Sequence, residues 1–332
     1  MRFDNETALD ARLFTGALDT QSLGAWLVAR ATYAVDRTTG TLTPAPCQWP
    51  VFHHRVQTAF GTFPSDDSPK HEGCDLVVLG SARCAAPVRQ TVASFTVGAH
   101  RRCIDVIGDR RWVRRNDGVL VPSEPEPFTE MTLGWNRAYG GTLGDDDDRT
   151  THPLNPCGRG LCTAEEMAEG QLLPNLEDPS ERIARWSDTP TPAAWGPIAK
   201  ALPWQVEHHL RARGTDAPPL EDAAFAEVVR NATEAASPPR NVIGALRGDE
   251  RVELRLGDDA WRFVLPGLAL RLDVEVGAQR FATRVSVSGL WFLADTQLLV
   301  VSWRSRFRYR MRPREERRAT LRAMPAEVRP AP

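Results

Sequence analysis

From Leu268 to Val276 every second side chain is apolar: Leu268, Leu270, Leu272, Val274 and Val276 alternate with Arg271, Asp273 and Glu275. A period of two over nine residues is the two-faced pattern of a β-strand, since helix faces recur every 3.6 residues. A strand with one apolar face has to bury that face against a second layer. The same constraint recurs on both sides of it. Val252, Leu254 and Leu256 alternate with charges, and "GDD" then turns the chain into Trp261, Phe263 and Leu265. "VSVSGLWFLADTQLLVVSW" (Val285–Trp303) reads as two strands about a turn near Asp295. In the first third, "WLVARATYAV" from Trp26 is β-branched and aromatic and closes on the turn signal Thr39-Gly40. "CDLVVLGSARC" (Cys74–Cys84) is an apolar run broken at Gly80. In "RRCIDVIGDRRWVRR", Cys103, Asp105 and Ile107 oppose Ile104 and Val106, and Gly108-Asp109 reads as a hairpin turn into Trp112-Val113.

Short connections between such strands favour antiparallel pairing. The expected fold is therefore mainly β, an antiparallel sandwich-like body built from an N-terminal region (1–121) and a C-terminal region (241–314), joined in one compact unit. Residues 315–332 read as a polar, disordered tail. Residues 122–240 are loop-rich and proline-dense, with two helix signals. "TAEEMAEG" offers Thr163 as N-cap with Glu166 three residues on, a capping box, and ends at Gly170. "LEDAAFAEVVRNATEAA" places Phe225, Val228, Val229 and Ala232 on one face. Ordering so long an excursion costs on the order of 1–2 kcal/mol per residue, so it has to pack on something. Trp135, with Met131, Leu133 and Tyr139, is the expected anchor.

Composition narrows the function. A formal net charge of −2 argues against a nucleic-acid or membrane binder, and no apolar run approaches the roughly 18 residues of a membrane helix. The start "MRFDNETALDARLF" carries acids where a secretory signal wants an apolar stretch, so a cytoplasmic location is expected. Six cysteines form no C-x-x-C pair and read as thiols in a reducing compartment. The basic residues are almost all arginine, with lysine only at Lys70 and Lys200.

The densest chemistry lies in "WNRAYGGTLGDDDDRTTHPLNPCGRGL" (Trp135–Leu161). Gly140, Gly141 and Gly144 lack the spacing of a phosphate-binding loop. Asp145–Asp148 lack the spaced ligands of a calcium loop and read as a solvated tip. His152 and Cys157 are close in sequence, which is little support for a nucleophile pair usually drawn from distant segments. His53-His54 and His208-His209 lack zincin spacing, and no G-x-S-x-G nominates a serine. The enzyme alternative would need His152, Cys157, Glu177 or Asp178 to converge as a hydrolytic site within the 135–180 loop region.

At several of these phrases the sequence resembles a bacterial family first catalogued as a domain of unknown function, whose members are described as adaptors or effector chaperones of type VI secretion systems. The matching stretches are "KHEGCDLVVLGSARC", "VGAHRRCIDVIGDRRW", "PFTEMTLGWNRAYGG", "HPLNPCGRG", "LPNLEDP", "WGPI" and "GDERVEL", in order between about Trp26 and Trp303. The resemblance implies function by protein contact: binding an effector, often one with a PAAR-like domain, and helping to load it on the spike protein. It implies no catalytic residue, no cofactor and no metal. "ASPPRNV" before Gly248 is less polar than the family's pattern, which puts the identity of the partner in doubt. Within the matching phrases, Arg137, Tyr139, Gly140, Gly141, Asn155, Pro156, Gly158, Gly160, Pro174, Asn175 and Glu177 read as residues that set loop shape, glycines by positive φ and prolines by fixed φ.

One feature outside those phrases points to a partner. In "WRSRFRYRMRPREERR", Arg304, Arg306, Arg308, Arg310 and Arg312 recur at every second position between Phe307, Tyr309 and Met311. In a strand all five guanidinium groups share one face. That face is either a solvated edge that deters aggregation or a docking face. A docking face would meet acidic groups of an effector or spike protein through bidentate pairs. A third reading pairs it with the chain's own Asp145–Asp148.

Overall fold

The computed structural model describes residues 1–17, 22–54, 56–58, 61–63, 65–67, 73–144, 150–152, 154–196, 239–310, 312 and 314–324. The β-branched and aromatic runs form its long strands. In chain order these are β1 (Arg2–Asn5), β2 (Asp10–Ala17), β3 (Ser22–Val35), β4 (Cys74–Leu79) and β5 (Ser81–Val88). There follow β6 (Gln90–Val97), β7 (His100–Ile107), β8 (Phe128–Thr132), β9 (Leu176–Glu177) and β10 (Arg251–Leu256). The last are β11 (Asp259–Val264), β12 (Leu270–Val276), β13 (Gln279–Leu293), β14 (Leu298–Arg310) and β15 (Arg317–Ala323).

A ten-stranded sheet runs in the order β1-β15-β12-β13-β14-β3-β2, with β4, Leu42–Pro44 and Val242–Ile243 attached beside it. Its bend originates in β13, which is 15 residues long and serves two sets of neighbours. Residues Gln279–Val285 pair with β12, whereas Gly289–Leu293 lie between β14 and β4, and a bulge separates Val287 from Gly289. A bulge bends its strand and increases the local twist. The sheet accordingly curls into a nearly closed, barrel-like form, and the molecule is mainly β. A smaller sheet, β9-β7-β6-β10-β11, packs its apolar face on the same core. Phe95, Ile104, Leu254 and Trp261 of the small sheet share that core with Leu27, Leu272, Leu290 and Val301 of the large one.

Two hairpins read from the alternation form as expected, β10–β11 and β13–β14. Four expectations are corrected. The sheet is not wholly antiparallel: β1 pairs β15 and β4 pairs β13 in parallel, because these partners lie far apart in the chain and no short turn constrains them. Gly108-Asp109 does not start a hairpin on β7, which pairs β6 and β9, while Trp112–Arg114 pairs Leu120–Pro122. Gly108 instead marks a backbone crossing, where a Cβ would stand 1.8 Å from the Glu126 carbonyl oxygen. The expected tail is structured over Arg317–Ala323, since Ala319 and Leu321 are fully buried and β1 and β12 flank them. The capping box does not form: the α-helical turn α1 (Glu165–Ala168) is N-capped by Ala164 without a side-chain hydrogen bond, and the Thr163 hydroxyl faces the Met167 sulfur at 3.6 Å.

The described part of the excursion does pack on the body. Met131, Leu133 and Trp135 join the core shared by the two sheets, and the Trp135 indole donates to the Gly196 carbonyl at 3.0 Å. Tyr139 belongs to a separate cluster with Trp112, Leu120, Ala168, Leu173 and Ile183. The helix expected within Leu220–Ala236, Trp204, His208-His209 and the acidic tip Asp145–Asp148 lie outside the described residues.

Candidate functional site

Two places emerge from the sequence, the polar knot of the middle loops and the arginine-bearing strand. The knot is built around two buried asparagines. The Asn155 amide donates to the carbonyl oxygens of Trp135 at 2.8 Å and Tyr139 at 2.9 Å. The Trp135 carbonyl also accepts the Ala138 N–H at 3.2 Å, so the Asn155 amide adds a second donor there and ties the turn at Trp135–Arg137 to Tyr139. The Asn175 amide does the same for the Ile107 carbonyl at 2.9 Å and the Asp109 carboxylate at 2.8 Å. The Asn175 side-chain oxygen accepts from Arg137 at 3.1 Å, and Arg137 and Arg159 converge on Asp109 at 3.2 and 3.4 Å. Glu177, 3% exposed, is held by Arg110 at 2.5 Å and accepts from the Ile183 N–H at 3.3 Å.

Glycines make room for this network. Gly140 (φ +140°) and Gly160 (φ +89°) both lie where L side chains are strained. A Cβ on Gly140 would stand 2.3 Å from the Asn155 carbonyl oxygen, and one on Gly160 would stand 2.8 Å from the Pro174 ring. Gly141 donates to the Asn155 carbonyl at 2.8 Å, Thr142 donates to the Pro156 carbonyl at 3.0 Å, and Gly158 packs under Asn155. Arg137, Gly140, Gly141, Asn155, Pro156, Gly158, Gly160, Pro174, Asn175 and Glu177 thus meet in one framework. Tyr139 contributes its carbonyl and a ring set edge-on to His152 at 5.2 Å.

The residues of the enzyme alternative have separate employments. His152 Nδ1 accepts from the Leu154 and Asn155 N–H groups. Cys157 is exposed, its thiol donates to the Asn155 side-chain oxygen at 3.3 Å, and partial desolvation pushes the thiol up from its ordinary value. Burial pushes the Asp178 carboxyl up, but hydrogen bonds from Ser180 and the charge of Arg240 outweigh it and hold the group below its ordinary range. Among the described residues no group of three or more His, Cys, Asp or Glu is placed to hold a metal ion.

The arginine strand is interior to the sheet over Leu298–Arg304, between β13 and β3, and pairs β3 alone over Ser305–Arg310. β14 pairs along its whole length with β3, from Leu298 opposite Ala34 to Arg310 opposite Ser22, and its first half also pairs with β13. At 14 residues β3 is long enough to flank all of it. The alternation holds: Ser305, Phe307 and Tyr309 are buried, whereas Arg306, Arg308 and Arg310 are exposed. Arg312 falls beyond the end of the strand. Arg304 departs from its row. The segment around Phe52 and Asp66 lies over it, and Asp66 accepts from Arg304 at 2.6 Å while pairing with Arg30 at 2.8 Å. Arg30 is 1% exposed, donates to Ser302 and the Pro50 carbonyl, and stacks 4.6 Å from the Trp291 ring centre. Burial pulls the Arg304 guanidinium down from its ordinary value; Asp66 opposes this and Arg30 adds to it.

Arg30, Asp66, Arg110 and Arg159 were not singled out by the sequence reading, and Asp109 entered it only as part of a turn. Arg30 carried a signal, a lone cation inside "WLVARATYAV", since a buried charge needs a partner. Asp66, in a polar "SDD", carried none.

A family model described as an uncharacterized protein conserved in bacteria (DUF2169) matches residues 21–304 of the chain. No curated protein and no solved structure matches it.

Proposed function

Starting from the premise that the chain belongs to DUF2169, a family of uncharacterized proteins conserved in bacteria, we propose that it is a non-enzymatic adaptor or chaperone. It binds a type VI secretion effector, often one bearing a PAAR-like domain, and assists that effector's stabilisation and loading on the spike protein. The observation that carries this reading is the face of β14, where Arg306, Arg308 and Arg310 are exposed on a strand held on one side by β3 along its full length. A strand fixed in this way presents guanidinium groups at a set repeat of two residues, which suits acidic side chains of a partner better than a mobile edge would. The knot around Asn155 and Asn175 supports the same reading, because its polar groups are spent on one another rather than turned toward a substrate.

Loading of this kind takes place in the cytoplasm, which is the proposed location; among the described residues no helix is long and apolar enough to cross a membrane. Nucleic acid is not the proposed partner, since the chain carries a formal net charge of −2. The test is co-purification of the tagged chain with the product of a neighbouring effector gene. Capture, with a fall in effector level on deletion of the chain, supports the adaptor role. Absence of a complex together with unchanged effector level and secretion overturns it.

A further inference from the structure

The two large sheets end in β1, β2, β9 and β11. All but β2 are protected. β1 is four residues long and carries Arg2 and Asp4, and β9 has two residues. β11 is crossed by the turn at Gly40, where a Cβ would stand 2.4 Å from the Arg262 carbonyl oxygen, and Arg37 beside that turn pairs with Asp259 at 3.0 Å. Short, charged or covered edges keep an open row of backbone groups from pairing with another chain. β2 is eight residues long and contains no proline or bulge, and among the described residues it pairs with β3 alone. After Asp10 its one charge is Arg12.

The register identifies the open groups. Val35 donates to the Gln297 carbonyl, so odd-numbered residues of β3 bond toward β14 and even-numbered ones toward β2. Asp10, Arg12, Phe14 and Gly16 of β2 therefore bond to β3, opposite Arg30, Val28, Trp26 and Gly24. The N–H and C=O groups of Ala11, Leu13 and Thr15 point away from the sheet. Their side chains take the core face, yet Ala11 and Leu13 are only partly buried, whereas Ala25, Leu27 and Ala29 beside them on β3 are fully buried. On the outer face Arg12 is exposed and Phe14 stacks on Trp26, with ring centres 6.3 Å apart. The open groups are centred on Leu13. Two copies meeting antiparallel at this edge place Leu13 opposite Leu13, Ala11 opposite Thr15 and Arg12 opposite Phe14. Every open N–H and C=O of the three residues then finds a partner, a cation meets an aromatic ring, and no like charges face each other.

We propose that the free edge of β2 is a self-association surface, on which a second copy of this chain pairs antiparallel about Leu13 and joins the two ten-stranded sheets into one. The contact is isologous, so it closes on a dimer and leaves no further edge of the same kind open. It stands apart from the adaptor role: effector capture and self-association are read by different measurements, and either is able to fail alone.

The test follows the molar mass of the full chain by light scattering from about 1 to 100 μM, where transient interfaces associate. The mass is expected to rise toward that of two chains. Thr15→Pro removes an exposed N–H that β3 does not use, so the fold should stand while the dimer weakens at least about tenfold, as loss of backbone hydrogen bonds on both sides of the twofold implies. Cysteine substitutions then read the register, with the exposed Cys47 and Cys157 first replaced by Ser. Facing residues of a hydrogen-bonded antiparallel pair have Cα atoms about 5.5 Å apart, within reach of a disulfide. Leu13→Cys is expected to link two chains on mild oxidation, Ala11→Cys alone to fail, and Ala11→Cys mixed with Thr15→Cys to succeed. If Thr15→Pro fails to fold, the cysteine series decides, because it leaves the backbone intact. A mass that stays at one chain overturns the proposal. So does association that a folded Thr15→Pro leaves unchanged, or linkage by Ala11→Cys alone as fast as by Leu13→Cys.

Discussion

Arg304 and Arg310 stand on one strand and on one face of it, yet they live in different media. Arg304 is covered by the segment bearing Phe52 and Asp66, and shares Asp66 with a second buried guanidinium, Arg30. Arg310 lies on the same row with solvent over it. The local pattern is identical at both, an arginine between inward-facing side chains. What separates them is whether another part of the chain crosses the sheet. Alternation decides which face a residue takes, and tertiary cover decides what that face is for. At one end of β14 the arginine row became part of the interior, and at the other it remained surface.

The comparison breaks hardest at Asp66. Removing the carboxylate takes from Arg30 and Arg304 the counter-charge they share and leaves the buried Asp75 as a weaker opposing charge on Arg304. A broken buried pair typically costs about 3–5 kcal/mol, most of it the penalty of the uncompensated charge. Asp66→Ala is expected to lower the unfolding free energy by that amount, read as a lower denaturant midpoint with little change in slope. Adding Arg304→Met to it should recover part of the loss, because one of the two stranded cations is then gone. A loss under about 1 kcal/mol would show that water reaches the pair and that Arg304 is surface like Arg310.

Asn155 makes the neutral counterpart of that test. It bonds two loop carbonyls without any charge, and of these the Trp135 carbonyl keeps a second donor, the Ala138 N–H, so Asn155→Ala is expected to cost about 1–3 kcal/mol, chiefly from the Tyr139 carbonyl. Amide exchange should accelerate over residues 139–144 and 154–160 and stay unchanged in β13 and β14. A uniform acceleration would mean the knot is integral to the body rather than a unit laid on it.

This contrast between cover and pattern also explains what was legible beforehand. The strands of β10 to β14 could be read because their alternation is a local property, and the hairpin partners follow from short turns. The parallel pairs β1–β15 and β4–β13 could not, since nothing local specifies a partner hundreds of residues away. The arginines of "RRATLRA" make β15 read as a polar tail, although Ala319 and Leu321 keep the period of two. In the loops, glycines and asparagines announced fixed turns, but their hydrogen-bond partners depend on which segments meet. Asp109 looked like a turn residue and is the acceptor for Arg137, Arg159 and Asn175.

Between the buried and exposed extremes lies Arg240, which reaches Asp178 at 2.6 Å and also pairs with Glu181. The Glu181 carboxyl is held low by the Thr191 N–H and by Arg240. Asp178 is held low by Ser180 and Arg240 against the upward push of burial. A depressed folded-state value means stability that is present above the ordinary carboxylate range and lost as pH falls through the folded value. These groups are about a quarter to two fifths exposed, so screening limits Arg240→Gln to a few tenths of a kcal/mol at neutral pH. The gap between wild type and variant should close on acidification below the ordinary carboxylate range. A gap that persists into strong acid would place the contribution of Arg240 in packing rather than charge.

The smallest effect on stability is expected where the effect on function is proposed to lie. Replacing Arg306, Arg308 and Arg310 together by Gln changes three exposed side chains and leaves Ser305, Phe307 and Tyr309 in the core. Substitutions of this kind usually stay within about 0.5 kcal/mol each, so the melting temperature should hardly move. Binding of the effector should move, and in a diagnostic way. If the row docks acidic side chains, part of the wild-type affinity is electrostatic and is screened by salt over a distance of about 10 Å at 0.1 M. The triple variant would then bind more weakly at low salt and show a flatter salt dependence, converging on the wild type as salt rises. Weakening that is equal at all salt concentrations would assign the arginines to shape rather than charge. Unchanged affinity would make the outer row of β14 a solvated face after all, and the contact surface would have to be sought elsewhere on the body. In that event the contrast between Arg304 and Arg310 would concern stability alone.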